Sequence, residues 1–243
     1  MFENEFNQVN INNEFIDAVM QGNLQKVKDM FEAENQPYID SEINGVPVIL
    51  YAAQKKDWAI VEELYAIGAD LDAKVPYLQW HLIHECVKTA PDKITNAILE
   101  YCNINAQTKV GKTALMVASD EGKIAMAEHL VDSGRMDLSI TDAEHNNAAH
   151  YAAKNSQYDL FIKIAQAGTP LNKQNKKGET PMDLLADPTF KENLPKILGE
   201  LAKIEKLKNN TEEASESEEV KVEAKAVEPV KPKVSGLSSI KKK

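Results

Sequence analysis

The sequence predicts an all-α solenoid, in which short helical hairpins stack along one axis. Three observations carry this prediction. A unit of about 33 residues recurs along the chain, each unit contains two short stripes of apolar residues at helical spacing, and a turn residue follows each stripe. One such unit cannot bury its apolar face alone, so neighbouring copies have to stack. The function is therefore expected on a surface of the stack rather than in a closed pocket.

The repeat is clearest where the units begin. The opening segments read NGVPVILYAA (44–53), VGKTALMVAS (110–119), EHNNAAHYAA (144–153) and KGETPMDLLA (177–186). When these segments are aligned, the anchor position of successive units falls on Gly45, Gln79, Gly111, His145 and Gly178, at spacings of 34, 32, 34 and 33 residues. Five copies that stay in phase predict one continuous stack.

Each unit is predicted to form two helices separated by a short break. In the second unit, apolar residues recur at helical spacing in 49–53 and again in 60–64, on either side of a break at Lys56 and Asp57. Gly68 then supplies a residue that tolerates positive φ and ends the second helix. The same order of features recurs in 122–134 and 158–168.

These segments resemble the ankyrin-repeat family. The family pattern of Gly-x-Thr-Pro-Leu-His-x-Ala-Ala, followed by a second helix and Gly-Ala-Asp, is visible in IVEELYAIGADLDAK (60–74), GKTALMVAS (111–119) and GETPMDLLA (178–186). The resemblance extends from about Phe15 to Ala186. It implies an ankyrin-repeat solenoid of about six units, two of them caps, whose units are joined by short β-hairpin-like loops.

The chain is predicted to divide into four parts: a leader (1–13), the ankyrin-repeat domain (14–186), a C-terminal helical cap (187–208) and a disordered charged tail (209–243). The cap is indicated by an amphipathic stripe in 193–210. The tail is rich in Glu, Lys, Pro and Ser and has no aromatic residue, so it cannot bury enough apolar surface to fold.

Composition restricts the classes of function. The formal net charge is −10 and Arg135 is the single arginine, so a general nucleic-acid binder is not expected. Two cysteines are too few for a disulfide framework. Neither a secretory signal nor a stretch of 18 apolar residues is readable. The sequence indicates a soluble, cytoplasmic, monomeric protein without a cofactor.

Two motifs suggest other chemistry. Gly111, Lys112 and Thr113 form the end of a phosphate-binding loop motif, but the first glycine of that motif is replaced by Ala106, and the tripeptide occupies the turn position of the repeat. A second motif is a possible zinc cluster, formed by His81, His84, Cys86 and Cys102, and it gives the alternative of a zinc-binding enzyme. The resemblance implies instead that His84 and His150 hydrogen-bond to loop backbone. No catalytic motif is present, so an enzyme is not expected.

The resemblance implies that the loop fingertips and the adjacent inner-helix face bind a partner protein in a concave groove. The third unit stands out, because Tyr77, Leu78 and Trp80 occupy positions where the family exposes polar residues. Tyr and Trp carry much of the binding energy at interfaces. The other residues predicted to contact a partner are Ile43, Val46, Lys109, Lys112, Glu144, Asn146, Lys55, Glu121 and Asn155. The acidic chain favours a partner with a basic surface.

The sequence leaves two further alternatives open. The irregular third unit could fold its aromatic residues inward, against Val75 or Tyr51. The glutamate-rich TEEASESEE (211–219) is also similar to the C-terminal segments of ankyrin-repeat effectors that bacteria export through specialised secretion systems into host cells. The second alternative predicts that deletion of 211–243 abolishes export.

Overall fold

Paired helices form the body of the structure, a computed structural model that describes residues 2–203. Within these residues, five helical pairs follow one another along the chain. They are α1 (Phe2–Met20) with α2 (Leu24–Glu32), α3 (Val48–Gln54) with α4 (Trp58–Ala66), α5 (Leu82–Thr89) with α6 (Asp92–Tyr101), α7 (Ala114–Asp120) with α8 (Ile124–Asp132), and α9 (Ala148–Lys154) with α10 (Tyr158–Gln166). An eleventh helical segment covers 188–203.

The helices stack in two layers. The odd-numbered helices pack against one another in chain order from α1 to α9, and they form the inner layer. In the outer layer, α2 contacts α4, α4 contacts α6, and α8 contacts α10. This is the stack of helical hairpins that the repeat predicts. The stack belongs to a compact unit that ends at Glu192, and a second unit begins at Asn193.

Small residues allow the inner helices to approach closely. Ala52 and Ala53 of α3 and Ala152 and Ala153 of α9 are all 0–1% exposed. Larger aliphatic residues of both layers, such as Leu64, fill the space between the helices. Close packing of this kind leaves little room for larger side chains at the alanine positions.

Left-handed backbone at the anchor position explains the repeat. The φ angles of the five anchor residues are all positive: Gly45 78°, Gln79 49°, Gly111 79°, His145 63° and Gly178 79°. The period of about 33 residues therefore reflects one turn geometry that recurs in each inter-unit loop. Glycine adopts this geometry without a steric cost, whereas Gln79 and His145 adopt it against their preference.

Two of the inter-unit loops are β-hairpins. Strands β1 (Glu42–Ile43) and β2 (Val46–Pro47) pair antiparallel, as do β3 (Lys74–Val75) and β4 (Trp80–His81). The loops of the later units reverse the chain in the same way, as turns that do not form paired strands. The predicted hairpin-like loops are thus present.

The ends of the described chain differ from the regular pattern. Residues 2–13, which are predicted to be a leader, form the first part of α1. In the last unit, 181–184 is a turn rather than an inner helix. The side chain of Asp183 accepts hydrogen bonds there from the backbone N–H and the hydroxyl of Thr180, at 3.0 and 2.7 Å. The predicted tail and the last residues of the predicted cap lie outside the described residues.

Candidate functional site

The most exposed large apolar side chain of the inter-unit loops, that of Tyr77, lies in the third unit. Tyr77 is 75% exposed and Leu78 is 50% exposed, at the tip of the loop between β3 and β4. Val110, in the next loop, is 54% exposed. We call Tyr77, Leu78, Trp80, Lys109 and Val110 the fingertip patch. The alternative in which the third unit folds its aromatic residues inward is wrong for Tyr77.

Backbone geometry holds the tip of this loop in place. Gln79 adopts the left-handed conformation that reverses the chain, and its side-chain amide donates to the carbonyl of Pro76 at 2.6 Å. The pairing of Val75 with Trp80 closes the hairpin. A loop fixed in this way loses little conformational entropy when it binds a partner.

Trp80 is half-buried, because it contacts its own unit. Its indole N–H donates to Oε2 of Glu85 at 3.0 Å. Its ring centroid lies 5.2 Å from that of His84, and Nζ of Lys88 lies 5.4 Å from the same indole ring. Part of the indole is therefore occupied by contacts within its own unit, and only the rest of its surface is accessible to a partner.

The next loop supports Tyr77 and Leu78. The Lys109 backbone N–H donates to the carbonyl of Leu78 at 2.8 Å, and Lys109 Nζ lies 3.6 Å from the centroid of the Tyr77 ring. A cation over the face of an aromatic ring is attracted by the ring quadrupole. Lys109 was predicted from its position in the loop, but its contact with Tyr77 could not be read from the sequence.

Equivalent backbone hydrogen bonds join the later loops. The Ala143 N–H donates to the carbonyl of Val110 at 2.9 Å, and the Lys176 N–H donates to the carbonyl of Glu144 at 3.0 Å. These bonds form a ladder along the loop tips, which fixes the position of each loop relative to the next.

Two histidines tie the inner helices to the following loops, as the resemblance implies. Nδ1 of His84 accepts from the backbone N–H of His81 at 3.1 Å, and Nε2 lies 3.2 Å from the carbonyl of Lys112. His150 makes the corresponding contact with the carbonyl of Glu179 at 3.2 Å. The prediction for both histidines is confirmed.

These contacts require a neutral His84 ring. Nδ1 accepts a hydrogen bond from the backbone N–H of His81, so the ring N–H lies on Nε2 and donates to the carbonyl of Lys112. Burial, together with the positive charge that the neighbouring His81 can carry, lowers the pKa of His84 to about 4. Burial also lowers the pKa of His150. Both rings are structural donors at neutral pH.

Most of the other predicted contact residues lie at the surface and make local polar contacts. Lys112 pairs with Asp120 at 2.6 Å, Glu144 with Lys176 at 3.5 Å, and Glu121 with Lys88 at 3.8 Å. The Asn155 amide donates to the carbonyl of Ser119 at 3.1 Å, and the Asn146 amide to Asp142 at 3.3 Å. Lys55 Nζ lies 5.4 Å from the Tyr51 ring centroid. These positions are available to a partner.

The first hairpin requires a correction. Ile43 is only 5% exposed, although it was expected to contact a partner. The residue pairs with Val46 across the hairpin, and its side chain belongs to the core while Val46 is half-buried. Since successive side chains of a strand point to opposite faces, the exposed neighbour of Ile43 on this strand is Glu42.

The two motifs that suggested other chemistry have structural roles. Thr113 is the N-cap of α7 and accepts from the Met116 N–H at 3.4 Å. Cys86 and Cys102 are buried. Burial raises the pKa of the Cys86 thiol, and it raises the pKa of Cys102 to about 11. Within 2–203, no three His, Cys, Asp or Glu residues form a group that could hold a metal ion.

Comparison with known families agrees with this architecture. Residues 82–175 match the family model described as ankyrin repeats (3 copies). This part of the chain therefore consists of ankyrin repeats, as the sequence predicts. Such repeats are generally protein–protein interaction modules and are typically non-catalytic. No helix in the described part of the chain is long and apolar enough to cross a membrane.

Proposed function

We propose that this protein is a non-catalytic interaction module that binds a partner protein through its loop fingertips and the adjacent groove of inner helices. The observation that carries the proposal is the fingertip patch. Tyr77 and Leu78 expose 75% and 50% of their surface on a backbone that hydrogen bonds hold to the next loop. Soluble proteins seldom leave clustered large apolar side chains exposed unless they are used for binding.

Tyr77 is the principal anchor in this proposal. Tyrosine brings a large apolar ring and a hydroxyl that can pair with a partner, and it has few side-chain torsions to immobilise. Replacement of such an anchor by alanine weakens binding by roughly 2 kcal/mol or more. Leu78 and Val110 add apolar area beside it. Trp80 contributes less, since its indole N–H already bonds to Glu85.

Charge supports a partner with a basic surface. The chain carries a net charge of −10, and this charge accelerates the encounter with a basic protein. We propose that the chain acts as a monomer in the cytoplasm, because the repeats present their binding face to another protein rather than to a second copy.

The proposal does not depend on the glutamate-rich segment at 211–219, which lies outside the described residues. Export as an effector stays a prediction that rests on the composition of this segment. Deletion of 211–243 tests it directly, since an effector of this type loses export and the fingertip proposal predicts unchanged partner binding.

Site-specific photo-crosslinking tests the fingertip proposal. p-Benzoylphenylalanine is placed at Tyr77 of the full chain, and matched control proteins carry it at Tyr38 and Tyr101, which are 62% and 63% exposed. The proposal predicts a crosslinked protein from position 77 that the two control positions do not capture. Equal capture from all three positions would show that exposure alone accounts for the product.

A further inference from the structure

A basic cavity lies at the end of the inner helices farthest from the loop tips, between the second, third and fourth units. Its volume is about 660 Å³. Three lysines line it, together with apolar side chains from α5 and the first turn of α8: Lys56, Lys88, Lys123, Val87, Ile124 and Met126. None of the lining residues is acidic, although the chain as a whole is.

An irregular turn in the third unit accompanies the cavity. In the other units the break between the paired helices contains a left-handed residue, with φ of 68° at Gly22, 62° at Lys56, 71° at Gly122 and 54° at Ser156. The corresponding residue of the third unit is Ala90, whose φ is −72° and ψ 148°. Proline follows it, and the residue before a proline favours extended backbone. The cavity opens at this altered turn.

The lysines of the cavity are incompletely neutralised. Within 2–203, Lys56 and Lys123 have no ion-pair partner, and Lys88 has only Glu121 at 3.8 Å. The acidic residue next to Lys56 in the sequence is Asp57, whose Oδ1 accepts from the Ile60 N–H at 3.3 Å as the N-cap of α4. Positive charge therefore accumulates beside an apolar wall that includes Ile124, which is 41% exposed.

We propose that this cavity binds an acidic segment of a partner protein. Carboxylates of the segment pair with Lys56 and Lys123, and an apolar side chain between them contacts Ile124 and Met126. Charge complementarity selects this occupant, because a basic or neutral segment leaves the two lysines unpaired. The site is separate from the fingertip patch, so either can fail without the other.

The probe is a fluorescein-labelled nonapeptide of three Glu-Glu-Leu repeats, added to the full-length protein. Its binding is expected to shift the backbone amide resonances of Gly122 and Ala125. The double variant Lys56→Glu/Lys123→Glu is expected to weaken binding about tenfold or more, because two attractive pairs become repulsive. A matched control, Lys196→Glu/Lys203→Glu, makes the same change of net charge at exposed positions and is expected to retain binding.

Three results would overturn the proposal. The first is equal loss of binding in the two double variants, which shows attraction to net charge only. The second is the absence of shifts at Gly122 and Ala125, or equal shifts with a Gln-Gln-Leu peptide. The third concerns this chain's own glutamates. If replacing Glu212, Glu213, Glu216, Glu218 and Glu219 with glutamine moves the same two resonances without any peptide, the occupant is 211–219.

Discussion

Two glycines with the same backbone conformation are expected to differ sharply in their tolerance of a methyl group. Gly45 and Gly111 have φ angles of 78° and 79°, so alanine at either position is held in the left-handed region. That conformation costs an L-residue roughly 1–2 kcal/mol. A Cβ at Gly45 meets nothing within 4 Å, whereas one at Gly111 lies 3.0 Å from both the backbone N of Ala143 and the Cα of Asp142.

The extra cost at Gly111 follows from these contacts. The neighbouring atoms are backbone, so the loop of the next unit must shift, and overpacking of this kind costs about 1–3 kcal/mol. The shift also disturbs the hydrogen bond from Ala143 to Val110, which contributes about 1 kcal/mol. We therefore expect Gly45→Ala to lower the free energy of unfolding by about 1–2 kcal/mol and Gly111→Ala to lower it by roughly 3–6 kcal/mol.

Urea unfolding followed by circular dichroism measures both free energies. Gly178→Ala is the matched control, because its φ is 79° and nothing lies within 4 Å of its added Cβ. It should resemble Gly45→Ala. If all three variants lose the same stability, the close packing between the third and fourth inter-unit loops does not stabilise the stack.

Three further changes test other parts of the stack. His145→Gly removes a left-handed side chain at φ 63° and should stabilise the protein by about 0.5–1 kcal/mol, which thermal melting detects as a higher Tm. Burial lowers the pKa of His84 from 6.5 to about 4, so the unfolded chain takes up its proton first as the pH falls. The stability associated with neutral His84 is complete above pH 6.5 and decreases by roughly 3 kcal/mol towards pH 4. In His84→Gln, urea unfolding at several pH values should show that the free energy of unfolding depends less steeply on pH. The guanidinium of Arg135 donates to three carbonyls at the end of α6, and Arg135→Ala should cost about 1–2 kcal/mol by urea unfolding, whereas no loss would show that water replaces these bonds.

The features that the sequence predicts well depend on local pattern. Helical pairs follow from apolar residues at helical spacing, and the break at Lys56 and Asp57 coincides with the end of α3 and the start of α4. Gly68 has φ 96°, as a helix-ending glycine requires. The positions of His84 and His150 in the repeat likewise predicted their hydrogen bonds to the next loop.

The features that the sequence did not predict depend on contacts between units. Ile43 was expected at the surface because it lies in a loop, but the hairpin directs its side chain inward. The cation–π contact of Lys109 with Tyr77 joins two loops, and no single-unit pattern encodes it. The sequence did contain a signal for the basic cavity. Ala90 and Pro91 break the turn pattern of the other units, in which a left-handed residue separates the paired helices.

We propose that Tyr77 and the residues beside it bind a partner protein. The most direct test is the Kd of the protein captured from position 77, measured for the wild type, Tyr77→Ala/Trp80→Ala and the control Tyr38→Ala/Tyr101→Ala. Circular dichroism confirms that each variant is folded. We predict that the first double variant raises the Kd about 30-fold or more, equivalent to roughly 2 kcal/mol, and that the control leaves it unchanged. An unchanged Kd in a folded Tyr77→Ala/Trp80→Ala variant would show that these two residues do not anchor the partner.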